Sequence, residues 1–190
     1  MRLRSKSTVD EPAAKTPEEW RAILVKIEPR AKPWILDGLA DAMPQLVTRF
    51  AINTAVRQQH FLAQCAHESD HFQTTQEYAG GQAYEGRKDL GNTVKGDGRK
   101  FKGRGLIQLT GRANYTNASK VLGEPYVDQP ELVERFPAAA IVSGWFWATH
   151  GLNELADKDD VTAVTRRVNG GLNGLADRKV ALANARTAIG

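Results

Sequence analysis

Glycines at positions 80, 81, 86, 91, 96, 98, 103 and 105 interrupt the chain between Phe72 and Gly105. No long helix survives that density, because each glycine adds backbone freedom that folding must remove and offers no side chain to pack. The segment is expected as loops with short strands, and LIQLT, residues 106–110, alternates well enough to be one strand. On both sides the hydrophobic period is helical. Upstream, TPEE at Thr16–Glu19 is a capping box with proline at the first helical position. It opens a helix to about Lys26 that buries Trp20, Ile23, Leu24 and Ile27. PWILDGLADAM predicts a short helix stopped before Pro44, and PQLVTRF another that starts there. Thr54 can cap a longer helix, AVRQQHFLAQCAHES. Downstream, ANYTNASKVLG, PAAAIVSGWFWATHG, DVTAVTRRVNG and LADRKVALANART read as helices. Asp159 or Asp160 and Asn173 are the expected caps, and Gly151 and Gly170 the expected stops. One domain over residues 16–190 follows, behind a polar tail over residues 1–15 that carries no hydrophobic period.

Apolar residues make up 41% of the 190, enough for one hydrophobic core. The net charge of +4 favours anionic polymers, and nucleic acid and anionic cell wall both satisfy it. The basic residues are scattered, densest at Arg2–Lys6 and Arg99–Arg104, and the Trp and Phe residues sit mostly in apolar segments. That is not the interleaving of basic and aromatic residues used by single-strand binders, so no nucleic-acid partner is expected. Cys65 is the single cysteine, which excludes an intramolecular disulfide. Its place on a helix face predicts a buried, inert thiol, since His67 two residues away points elsewhere on a helix and cannot activate it. The stretch MRLRSKSTVDEPAAK lacks the apolar region of a signal peptide, and no run approaches the length of a membrane span. Synthesis in the cytoplasm without membrane insertion is the expectation.

The stretch AHESDHF, residues 66–72, offers two chemistries. His67, Glu68 and His71 spell H-E-x-x-H, the zinc-hydrolase helix motif. A zinc site also needs a third ligand, and Glu77, Glu85, Asp89 and His150 are the candidates. Glu85 and Asp89 lie in the glycine-rich segment where a ligand helix cannot form, and Asp70 adds a charge inside the motif. Glycoside hydrolysis instead needs one protonated and one ionised carboxyl. Glu68 stands at the end of an apolar helix, where partial burial favours the protonated form. Glu77 follows nine residues later; on a continuous helix that is about 900°, on the opposite face. The two share a cleft only if the helix ends between them, and a separation of about 6.5 to 9.5 Å would admit an attacking water and give inversion. Glu85 is the rival to Glu77 as base, or else a structural salt-bridge partner of an arginine. GDGRKFKGRG contains no phosphate-loop pattern. Trp145 and Trp147 read as core, while Arg166 and Arg167 either position carboxylates or line a solvated helix face.

AHES, the glutamate of QEY, YEGRKDLGNTVKGDGRKFKGRGLIQLTGRANY and VTRRVNGGLNGLADR resemble glycoside hydrolase family 19. Within it the likeness is to phage and prophage endolysins, relatives of plant and bacterial chitinases, and it spans about residues 20–188. The resemblance implies a mainly α, lysozyme-like domain with a glycine-rich loop and short β-hairpin beside the catalytic cleft. It implies Glu68 as general acid, Glu77 as general base and Thr110 as the hydroxyl that holds the nucleophilic water. Gln108 and Asn114 would line sugar subsites with Tyr115 beside them, and Asn169 would bind sugar near the acid. Arg178 would pair with a catalytic carboxylate, His67 would support the acid, and Glu85 would lie near the cleft. Asp70 and His71 depart from the pattern, which commonly has a pair of glycines there. The implied substrate is peptidoglycan or a chitin-like polymer, cleaved by a monomer without metal or cofactor. The chain would reach the bacterial wall from the host cytoplasm through a separately encoded pore.

Overall fold

A computed structural model describes residues 15–190. The expected tail therefore lies outside the described residues, apart from Lys15, whose ammonium sits 5.1 Å from the centroid of the Trp20 ring. Helix α1, Pro17–Ile27, opens on the anticipated capping box: Thr16 accepts from the Glu19 amide, and the Glu19 carboxylate accepts from the Thr16 amide. Its inward face carries Trp20, Ile23, Leu24 and Ile27.

Helix α2 runs unbroken from Pro33 to Arg49, so the two short helices expected around Pro44 are one. An internal proline costs roughly 3 kcal/mol. Here the apolar stripe continues through it, with Leu36, Leu39, Ala40, Met43 and Leu46 all buried, and that packing outweighs the penalty. The Thr48 hydroxyl donates to the Pro44 carbonyl at 2.9 Å on the exposed side.

Helix α3, Ala55–Glu68, is capped by Thr54, and every residue from Gln58 to Ala66 is buried. A helix enclosed on all sides must satisfy its polar groups internally. Gln58 donates to the Ile52 carbonyl, Gln59 to that of Gly190, and His60 Nε2 pairs with Asp159 at 2.7 Å. Helix α9, Leu175–Ile189, packs along α3 and also against α1. Cys65 is buried as expected, and burial pushes its thiol well above the ordinary range.

Beyond α3 lie α4 (Asp97–Lys100), α5 (Arg112–Leu122), α6 (Ala138–Thr149), α7 (Leu152–Ala156) and α8 (Val161–Asn169). Asp160 caps α8 by accepting from the Ala163 amide, and Gly170 ends it at φ +72°. Asn173 caps nothing; the left-handed Gly174 precedes α9 instead. Gly151 starts α7 as well as following α6, and five residues are too short for α7 to show a period. Trp145 and Trp147 are core residues, with Trp147 donating to Asn153.

The strand expected over 106–110, and with it the hairpin, does not form. The described residues hold only isolated antiparallel bridges, Gln76 with Arg104 and Arg104 with Leu109. Gly105 turns the chain at φ +88°, and helix α6 takes the amides a partner strand would need. Leu106 donates to the Ala139 carbonyl and Ile107 to the Ser143 hydroxyl. The glycine-rich stretch contains short 3-10 turns at Gln82–Tyr84 and Lys88–Leu90 together with α4. Buried polar groups hold it: Asn92 donates to the Tyr84 carbonyl and accepts from the Arg112 amide, while Asp97 pairs with Arg112.

Candidate active site

The end of α3 is built by its own sequence. The Ser69 hydroxyl donates to the Cys65 carbonyl at 2.6 Å and accepts from the Phe72 amide, closing the helix one residue after Glu68. Asp70, His71 and Phe72 then follow with φ of +52°, +57° and +59°. Three successive non-glycine residues in the left-handed region cost of order 1–3 kcal/mol each. Glycine takes such angles without steric cost, so the glycine pair that the resemblance implies would suit this turn, and Asp70 and His71 depart from it at the cost of strain. Side-chain contacts offset the strain: Asp70 accepts from the Tyr78 hydroxyl, His71 pairs with Glu28 and Phe72 enters the core. The turn also removes His71 from the helix, so the two histidines of H-E-x-x-H do not share a helical turn.

Beyond this turn the chain reverses and brings Glu77 back toward Glu68. Both line one cleft of about 410 Å³, together with His67, Tyr84, Gln108 and Thr110. Arg178, 1% exposed and projecting from α9, donates to Glu68 Oε1 at 2.5 Å and also to the Gln64 side chain. The Glu68 side chain keeps 19% of its surface accessible. Its setting is thus an arginine contact at one oxygen rather than the apolar burial that helix periodicity implied.

Glu77 is fixed differently. Its amide donates to the Gly103 carbonyl, and its Oε2 accepts from the Tyr84 hydroxyl at 2.8 Å. Oε1 is buried and has no protein donor, and the same holds for Oε1 of Gln108 in the same cleft. Gly103 makes this approach feasible: a Cβ there would lie 2.5 Å from Gln108 Oε1 and 3.3 Å from the Thr110 hydroxyl. Burial, then the bond to Glu77, raises the Tyr84 hydroxyl above its ordinary range.

The remaining expected residues divide. His67 lines the cleft, its Nδ1 paired with Asp177 at 2.6 Å, and its ring lies so close to Gly174 that a Cβ there would sit 2.2 Å from it. Asn114 is exposed on α5 and donates to the Thr110 carbonyl. Tyr115 is not in the cleft. It is fully buried behind it, bonded to Arg104 and to the Lys102 carbonyl, with burial pushing its hydroxyl up to about 12. Glu85 is neither in the cleft lining nor paired with an arginine: its carboxylate accepts the amides of Gly96 and Gly98, which hold it below the usual carboxylate range. Asn169 is exposed at the end of α8 and donates to the Asn173 carbonyl. Arg166 and Arg167 lie on an exposed face, and Arg167 bonds the His150 carbonyl rather than a carboxylate. Among the described residues no three His, Cys, Asp or Glu side chains are grouped to hold a metal ion.

Sequence reasoning missed Gln64, Tyr84, Asp177 and Gly174. Asp177 immediately precedes Arg178, and Tyr84 stands seven residues after Glu77, so neither spacing signals a contact before the backbone reversal is known.

The family described as Chitinase class I matches residues 38–169 of the chain. A glycosyl hydrolase family 19 domain-containing protein of Haemophilus influenzae is 30% identical over 177 residues, covering 77% of this chain and 86% of that protein. An endochitinase of Arabidopsis thaliana is 37% identical over 113 residues, and there the match spans 38% of the plant protein's length. Among solved structures, chitinase C from Streptomyces griseus superposes with a TM-score of 0.72 at 22% identity, covering 93% of this chain and 95% of that one. The class IV chitinase of Zea mays gives 0.64 at 20% identity, over 88% and 89%. The fold is accordingly the mainly helical, lysozyme-like one of these chitinases. With a family match across most of the chain, the protein belongs to glycoside hydrolase family 19 and is a glycoside hydrolase.

Proposed function

We propose that the chain hydrolyses the β-1,4-linked amino-sugar backbone of peptidoglycan by direct displacement, and that it acts as a lysin of the bacterial wall. The observation that carries this reading is the pair Glu68 and Glu77 lining one cleft from opposite sides of the left-handed turn. In the proposed step Glu77 accepts a proton from a water, whose oxygen bonds to the anomeric carbon as the glycosidic C–O bond breaks. Glu68 gives its proton to the departing oxygen, and the product has inverted configuration. Arg178 occupies Glu68 Oε1, which leaves Oε2 to carry the proton. The buried acceptors Glu77 Oε1 and Gln108 Oε1 call for donors, which a water and a sugar hydroxyl supply, with Thr110 beside them. The net charge of +4 suits an anionic wall.

Chitin is the second reading, favoured by the similarity to plant endochitinases. Digestion of purified peptidoglycan and of chitin by the wild type, Glu68→Gln and Glu77→Gln, with products identified by mass spectrometry, decides between them. New reducing ends from peptidoglycan, lost in both variants, are expected. Cleavage of chitin alone would transfer the assignment to chitin, and release of amines without reducing ends would sink the glycosidase mechanism.

A further inference from the structure

A second cavity of about 480 Å³ adjoins the cleft, and Thr74 and Gln76 line both. Its floor is aromatic. Trp34 is 49% exposed, and its ring meets Phe136 edge-on at 6.1 Å and 73°. Gly38, one turn further along α2, lets the Phe136 ring press against that helix, since a Cβ there would fall 2.3 Å from the ring. The indole is therefore backed by packed structure while half its surface stays open, an arrangement suited to stacking on a sugar ring.

The rim is cationic. Lys32 and Arg135 line the cavity, both are exposed, and neither makes an ion pair with any described residue. The acidic group in the lining, Glu134, is engaged by Arg104 at 2.6 Å. Lys32 and Trp34 also precede the segment matched by the family, residues 38–169. A neutral glycan gives the two cations nothing to pair with. A glycan whose sugars carry carboxylate-bearing peptides does.

We propose that this groove is a binding site for the peptide-substituted part of the glycan strand. A sugar ring lies on Trp34, and carboxylates of the attached peptide meet Lys32 and Arg135. The inference rests on reading the neighbouring cleft as the glycan-cleaving site, and it names the feature by which that site tells a peptide-bearing wall polymer from chitin.

The test is calorimetric titration of the full chain with a disaccharide-tripeptide muropeptide and with chitotriose, on the wild type, Trp34→Ala and the double variant Lys32→Glu/Arg135→Glu. The double variant is expected to bind the muropeptide at least tenfold more weakly while its chitotriose affinity stays within twofold. The wild-type preference should shrink as salt is raised. Trp34→Ala should weaken the muropeptide as well, with unchanged thermal melting showing that all three proteins are folded. Equal muropeptide binding by wild type and double variant overturns the proposal. Cleavage of peptide-stripped glycan strands is measured in parallel. Failure there with muropeptide binding intact counts against the catalytic reading alone, and cleavage with charge-independent binding counts against the groove alone.

Discussion

Replacing Tyr84 with phenylalanine removes one oxygen and leaves the ring, its packing and the backbone carbonyl that Asn92 bonds. That oxygen is the donor to Glu77 Oε2 at 2.8 Å, while Oε1 has no protein donor at all. A hydrogen bond to a charged group contributes about 1.5–3 kcal/mol. Glu77 is partly exposed and water can replace the lost donor, so about 1–2 kcal/mol is the better figure here. If Tyr84 holds the base in its working orientation, the loss falls on kcat. At about 1.4 kcal/mol per tenfold, Tyr84→Phe should lower kcat by roughly five- to thirtyfold with KM little changed. Melting temperature should fall by about 2–8 °C, because the same bond is lost from the folded resting state at roughly 2–4 °C per kcal/mol. The assay is reducing-end release from a soluble amino-sugar oligomer under saturating substrate, with a thermal melt alongside. A kcat within twofold of wild type would refute the reasoning, since the contact would then be a resting-state feature with no part in positioning the base.

Arg178→Met leaves Gln64 and Glu68 without their donor; breaking such a pair costs about 3–5 kcal/mol when fully buried. The accessible edge of Glu68 argues for the lower end, roughly 3 kcal/mol, which a thermal melt should show as a fall of about 6–12 °C. Gly174→Ala and Gly170→Ala impose the same left-handed strain, at φ +73° and +72°, but only the first places a Cβ against the His67 ring. Circular-dichroism melts should show Gly174→Ala the less stable, with lower glycosidase activity, while Gly170→Ala loses only about 1–2 kcal/mol. His60 is buried beside Asp159, and burial holds its imidazole below the ordinary value despite that partner. The folded chain thus binds fewer protons there than the unfolded chain. Stability from this source is full above about pH 6.5 and falls as pH drops through the window beneath it, by up to about 1.4 kcal/mol per pH unit. His71, raised chiefly by its bond to Glu28, contributes in the opposite sense: its stability is present below about pH 6.5 and lost as pH rises through its higher folded value. Melts at pH 7.5 and 5.5 should therefore show a smaller acid loss in His60→Gln than in wild type.

What could be read from the sequence was whatever local chemistry decides. The capping box at Thr16, the caps at Thr54 and Asp160, the core faces of α1 and α3, and the break after Glu68 all follow from spacing and residue type. Pro44 does not stop its helix, because the buried stripe around it overrides a local breaker. LIQLT alternates like a strand, and alternation alone cannot reveal that α6 takes its amides. At the site, Glu68, Glu77, Thr110, Gln108 and His67 meet in the cleft, and Arg178 reaches Glu68 as the resemblance implied. Tyr115 and Glu85 were misplaced for one reason: a motif fixes which residues are near one another, not which side of the backbone each serves. Tyr115 braces Arg104 from behind, and Glu85 closes the loop that carries Tyr84. The donors that set the two carboxylates, Tyr84 and Arg178, lie seven and 110 positions from their partners.

The central claim is a single displacement by two carboxylates with an activated water between them. Proton NMR of the first products released from a β-1,4-linked amino-sugar oligomer tests it most directly, read before the new reducing end equilibrates. The account predicts that the α anomer appears first and the β anomer grows in later by mutarotation. Initial formation of the β anomer would mean that the configuration is retained, and the direct displacement assigned to Glu68 and Glu77 would be wrong.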